Sequence, residues 1–108
     1  GAMEDLKILA KDTRNVYGAE AKYKVAQIYF DGGQTDKAEQ EVLNYSEVST
    51  PHTYWLARSF VLLADVYMKS GRNLDAKQYL LSLKQNYQAD DDIAGMIESR
   101  LEKLKTEN

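Results

Sequence analysis

The chain has no cysteine, one proline, six glycines, one tryptophan and one histidine in 108 residues. Each shortage removes a class of protein. Without cysteine there is no disulfide framework and no thiol nucleophile, so packing alone must hold the core; the compartment stays open. Scarce proline and glycine leave little of the punctuation that sandwiches and barrels need. No apolar run approaches the ~18 residues of a membrane span, so no direct membrane insertion is expected. Cations are not in excess either. The net charge is −3, with Lys and Arg scattered among acids, which argues against a nucleic-acid footprint.

What remains is an ordinary globular composition, 44% hydrophobic and 29% charged, of a length that suits one domain. Gly1-Ala2-Met3 reads as a remnant of tag removal, and the helical pattern that follows at once reads as a piece cut from a longer protein. Leu6, Leu9 and Thr13 give a first helix over about 4–13. Asn15 is placed to cap a second, whose buried stripe is Tyr17, Ala21, Val25, Ile28 and Tyr29, and which stops at Asp31-Gly32-Gly33. A third begins after Thr35 and presents Ala38, Val42 and Tyr45. Thr50-Pro51, a hydroxyl cap followed by proline at the first helical position, predicts a long helix from Pro51 to Lys69. That helix carries Trp55, Phe60, Leu63, Ala64 and Tyr67, and Ser70-Gly71 ends it. Asn73 is placed to cap a fifth helix with Ala76, Tyr79, Leu80 and Leu83. Asp90 or Asp91 starts a sixth with the stripe Ile93, Ile97, Leu101 and Leu104. The expectation is all-α, with six helices and short loops.

Self-comparison organises these helices. "AKYKVAQIYFDGGQTDKAEQEV" set over "ARSFVLLADVYMKSGRNLDAKQYL" brings Ala26 onto Ala64, Tyr29 onto Tyr67, Gly33 onto Gly71 and Ala38 onto Ala76, each pair 38 positions apart. Small alanines let paired helices approach, tyrosine fills the space between neighbouring pairs, and glycine makes the tight turn. The pattern resembles the tetratricopeptide repeat (TPR). Val25-Ala26, Tyr29, Ala38 and Val42 match its motif once, and Leu63-Ala64, Tyr67, Ala76 and Leu80 match it again. Ala stands where Gly is usual, and Lys22 and Phe60 stand where Trp is common. Pro51 lies one place past the expected closing proline, the second repeat lacks one, and the offset exceeds the family's roughly 34 residues. A longer start to the helix bearing Tyr54 and Trp55 would absorb the excess. The resemblance implies a right-handed superhelix of antiparallel helix-turn-helix units: a half repeat at 4–14, repeats at 16–47 and 51–87, and a capping helix at 90–106. "TPHTYWLARSFVLLADVY" and "AKQYLLSLKQNY" further resemble the C-terminal repeats of long TPR proteins of Gram-negative envelopes, which implies an envelope or periplasmic setting.

By that resemblance the first helix of each repeat lines a concave, protein-binding surface. The non-core residues there are Tyr23, Gln27 and Phe30 in repeat one and Arg58, Val61, Asp65, Met68 and Lys69 in repeat two. They mix aromatic, apolar and charged groups, as a docked peptide or helix requires. Tyr23 and Phe30 serve equally well as packing for the first helix, and Met68 for the last. Trp55 either anchors a partner or fills the junction between repeats. The residues at Tyr23, Gln27, Val61, Leu62 and Asp65 do not match the family's clamp for a C-terminal carboxylate. The alternative function is an end-piece of a longer superhelix, whose cut ends would favour self-association. Catalysis finds little footing: His52 reads as a surface residue near a helix start, Asp90-Asp91-Asp92 as acids favoured by a helix dipole, and Gly32-Gly33 as the repeat turn. No metal site and no cofactor are expected.

Overall fold

The computed structural model describes residues 1–106. Six helices follow in order: α1 Ala2–Leu9, α2 Val16–Asp31, α3 Thr35–Tyr45, α4 Thr53–Lys69, α5 Asn73–Asn86 and α6 Ile93–Thr106, with no strand among the described residues. They form two antiparallel hairpins, α2–α3 and α4–α5, with α1 before them and α6 after.

The two hairpin turns are copies of one another. Gly33 and Gly71 take φ of +80° and +78°, a left-handed conformation that glycine enters without a Cβ penalty. The amide of Gln34 then donates to the Tyr29 carbonyl and that of Arg72 to the Tyr67 carbonyl, both at 2.8 Å, while Gly33 and Gly71 donate to Phe30 and Met68. This is the Schellman arrangement, which satisfies the last carbonyls of a helix. The tyrosines at the 38-residue offset thus supply the acceptors as well as the side chains. Tyr29 lies between Lys7 of α1 and Lys37 of α3, and Tyr67 between Glu39 of α3 and Tyr79 of α5.

Packing between hairpins also repeats. The first helix of the second hairpin, α4, packs on both α2 and α3, and α6 packs in the same way on α4 and α5. Fully buried alanines stand on both helices of each hairpin: Ala26 and Ala38, then Ala64 and Ala76. Leu63, Leu80, Ile93 and Ile97 fill the centre of the second hairpin and its junction with α6. Each such side chain contributes about 1.5–3 kcal/mol by leaving water. Trp55 takes the junction place, with its ring 5.6 Å from Tyr23 of α2 and 5.0 Å from Tyr54.

Several local expectations change. α1 starts at Ala2 and ends at Leu9, so Thr13 is not helical. Thr13 is nevertheless buried, because its hydroxyl donates to the Ser49 carbonyl (2.8 Å) while its own carbonyl accepts from the Thr50 hydroxyl (2.6 Å). Thr50 is thereby drawn away from a capping role and Pro51 from the first helical position; α4 begins at Thr53, and the connection 46–52 takes up the length expected in the helix start. His52 precedes the helix, with Nε2 3.0 Å from the Arg14 carbonyl. Tyr17 and Ile28 are exposed, and Asn73 is the first residue of α5 with no capping bond of its own. Asn15 does cap α2, accepting from the Tyr17 amide at 2.8 Å.

Gly18 carries a constraint of its own. A Cβ there would stand 1.9 Å from the Asp12 carbonyl oxygen and 2.7 Å from that of Leu9, so α2 and the end of α1 touch backbone to backbone. Gly95 in α6 has nothing within 4 Å of the same point. Urea unfolding therefore separates the two: Gly18→Ala loses about 1–3 kcal/mol, and Gly95→Ala gains about 0.5–1 kcal/mol. A second prediction concerns Tyr45, whose hydroxyl donates to the Ala19 carbonyl at 3.2 Å. Burial pushes its phenol from 10.0 up to about 12, against the Thr50 hydroxyl. Because the folded value is the higher one, the contribution is complete below pH 10 and is lost as pH rises toward 12; denaturation at graded pH, with Tyr45→Phe as the reference, reads that loss.

Candidate functional site

Because α4 and α6 each pack on the hairpin before them, α2, α4 and α6 share one face of the molecule. Two recesses lie along it. The larger, about 580 Å³, is lined by Phe30 of α2, by Asp65, Met68 and Lys69 of α4, and by Ser99, Arg100 and Lys103 of α6. The smaller, about 110 Å³, lies between Tyr23, Gln27, Arg58, Asp65, Met96 and Arg100 among others. Asp65 and Arg100 line both and form the wall between them.

That wall is an internal ion pair. Arg100 Nε and an η nitrogen donate to the two Asp65 oxygens at 2.7 and 2.9 Å, and its other η nitrogen donates to the Met96 carbonyl. Both side chains are a little over a quarter exposed. The paired geometry matches a planar guanidinium to a carboxylate and ties α6 to α4. Asp65 was expected to face a partner; its carboxylate is taken up within the fold instead.

A hydrogen-bonded chain runs along the smaller recess. The Tyr23 hydroxyl donates to Gln27 (2.7 Å), whose amide donates to Asp31 (2.8 Å). Arg58 donates to the hydroxyls of Tyr23 (3.1 Å) and Tyr54 (3.0 Å), and Tyr54 donates to Asp92 (2.9 Å). The Arg58 guanidinium also lies 4.9 Å from the Tyr23 ring centre and 5.8 Å from that of Trp55, a cation–π position. Burial raises the Tyr54 phenol above its ordinary value; Arg58 lowers it and Asp92 raises it further, so the proton stays on Tyr54 to bridge the two charges.

The eight expected contact residues therefore divide. Val61 is 3% exposed and Tyr23 8%, so both belong to the core, and the Tyr23 ring packs against Trp55 of α4. Gln27, Arg58 and Asp65 are partly exposed but engaged in the bonds above. Phe30, Met68 and Lys69 meet at the larger recess, Phe30 and Met68 half-buried, with Lys69 Nζ 5.4 Å from the Phe30 ring centre. The sequence reading did not name Met96, Ser99, Arg100 and Lys103, since it took the last helix as a capping helix and drew contact residues from the two repeats alone. The available signal was the repeat itself: a helix after the second hairpin occupies the place of a third first-helix.

Asp91 and Asp92 of the acidic run are engaged within the fold. Asp91 accepts from the Ile93 amide at 2.9 Å and from the Tyr87 hydroxyl, and Asp92 serves Tyr54. Among the described residues no three acids or histidines gather at metal-binding spacing. No helix of the structure is long and apolar enough to cross a membrane. A scan against protein-family models, a search of curated proteins and a search of solved structures find no match to this chain.

The Asp65–Arg100 wall makes a quantitative prediction. A double-mutant cycle of Asp65→Ala and Arg100→Ala, read by chemical denaturation, gives a coupling of about 1 kcal/mol, at the upper end for pairs that retain solvent contact. A coupling near zero would mean that packing of Met96 and Leu101, not the ion pair, sets the position of α6.

Proposed function

We propose that this chain is a protein-interaction module of the tetratricopeptide-repeat type, holding an extended or helical peptide segment along the face shared by α2, α4 and α6. The observation that carries the reading is the larger recess. Alternate helices of the stack contribute its walls, and half-buried apolar groups lie beside charged ones on a rigid frame. A peptide site needs that mixture: contact area from Phe30 and Met68, and polar groups to fix orientation. The reading is non-catalytic. The one histidine donates to a main-chain carbonyl, and the acidic run caps a helix and binds tyrosines.

A selection from a random peptide library on the immobilised domain tests it. Enriched peptides lose about tenfold or more in affinity to Phe30→Ala/Met68→Ala, since buried anchors contribute on the order of 1–2 kcal/mol each. Leu74→Ala, on the exposed side of α5, leaves binding unchanged. Tyr23 is unsuitable for this test because its removal disturbs the core.

A second reading, a structural end-piece that associates through its ends, draws on one further feature. Ile8, Leu9 and Tyr17 are 64%, 51% and 69% exposed and border a crevice of about 430 Å³. Sedimentation equilibrium separates the two readings. Reversible dimerisation abolished by Leu9→Glu/Tyr17→Glu supports association at this end; a monomer at all concentrations removes self-association.

A further inference from the structure

We infer that the segment taken by the larger recess is acidic, with carboxylates flanking one or two large apolar side chains; the inference rests on the docking function proposed above. Three cations, Lys69, Arg100 and Lys103, line the recess against one acid, Asp65. Asp65 is bonded to Arg100 through both oxygens, so that pair is internally neutralised and the two lysines set the sign of the mouth. Neither lysine forms an ion pair among the described residues, so no acid of the lining takes up either ammonium.

The local sign runs against that of the whole chain, which carries −3. The remaining acids do not cancel it. Charges farther than about 8–10 Å are screened at physiological salt, so a ligand in the recess feels its lining rather than the total. Two acids adjoin the shared face: Asp31, which takes the Gln27 amide, and Asp92, which takes the Tyr54 hydroxyl. Both serve the Arg58 chain along the smaller recess and line neither cavity.

The apolar requirement comes from Phe30 and Met68 in the same lining. Phe30 and Met68 are only half-buried, and Lys69 lies over the Phe30 ring at 5.4 Å, which holds its ammonium at the entrance. An apolar side chain entering between Phe30 and Met68 brings a neighbouring carboxylate to Lys69, and the next carboxylate faces Lys103. Ser99 lines the recess from α6, beside Arg100 and Lys103, and its hydroxyl offers a donor to a peptide carbonyl. A basic segment meets two uncompensated ammonium groups, so the recess selects by repulsion as well as attraction.

The test titrates the isotope-labelled full chain with three capped peptides that share a central Phe-Leu pair and a length but are flanked by Glu, by Ser or by Lys. A short oligothymidylate is the fourth probe. Amide shifts locate binding, and affinities come from the same titrations. The expected result is that the Glu peptide binds about tenfold tighter than the Ser peptide, two exposed cations being worth a factor of a few each. It shifts Phe30, Met68, Lys69 and Lys103. The preference falls to about twofold or less in Lys69→Gln/Lys103→Gln, whose lysines are exposed, so that the fold is retained. Equal or tighter binding of the Ser or Lys peptide in the same recess overturns the acidic preference while leaving the docking reading intact. Shifts at the recess from none of the peptides overturn both. Tighter binding of the oligothymidylate at these residues overturns the peptide in favour of a nucleic acid.

Discussion

The closeness with which paired helices must lie governs the rest of this structure. In each hairpin an alanine on the first helix and another on the second are fully buried, and neither side chain extends beyond a methyl group. A larger group at Ala26, Ala38, Ala64 or Ala76 would push the helices apart, and the tight glycine turn between them could no longer be reached by both ends. The same economy of volume appears between α1 and α2, where Gly18 leaves no room even for a methyl. Larger side chains fill the remaining space: Tyr67 of α4 meets Tyr79 of α5 inside the second hairpin, and Tyr23 of α2 meets Trp55, beside Tyr54, where α4 joins α2. Small groups set the closest approach of the paired helices, and aromatic groups fill the space around those contacts.

The stacking of the units explains why outward residues of their first helices collect on one face. When each unit offers its first helix to the unit before it, those helices lie side by side, and residues on their outward turns converge. The convergence brings Phe30, Met68 and Lys103 to one recess although 73 residues of sequence separate the first from the last. The Asp65–Arg100 pair and the Arg58 chain then fix the helices in register. Such pairs rarely add much net stability where water reaches them; their effect is on where α6 and α2 stand relative to α4.

Much of the fold was legible in the sequence because its signals are local. Asn15, Gly33, Gly71 and Asp91 act within a turn of where they stand, and the 38-residue offset made two weak patterns into one strong one. Legibility failed where a distant partner redirected a local signal. Thr50 and Pro51 form a good helix start in isolation, but the Thr13 carbonyl takes the Thr50 hydroxyl. Tyr17 follows the helical spacing of a buried stripe, yet α1 meets α2 at the neighbouring Gly18 and leaves Tyr17 69% exposed. In the candidate site, Phe30, Met68 and Lys69 were legible as outward residues of first helices. Val61 and Tyr23 were not separable from them by periodicity, since both faces of α4 are covered and the ring of Tyr23 finds Trp55. The place of α6 was legible only through the repeat, and its pairing was not, because Asp65 and Arg100 lie 35 residues apart with no local motif to join them.

The junction of the loop after α1 with the loop before α4 carries one more consequence. Thr13, Thr50 and His52 all direct their side chains to main-chain carbonyls, those of Ser49, Thr13 and Arg14. A carbonyl is offered by every residue type, so the acceptor side of this junction places no demand on the side chains of positions 14 and 49. The seam is therefore asymmetric: replacing either hydroxyl or the imidazole removes one of its bonds, while replacing the side chain of Arg14 or Ser49 removes none of the three.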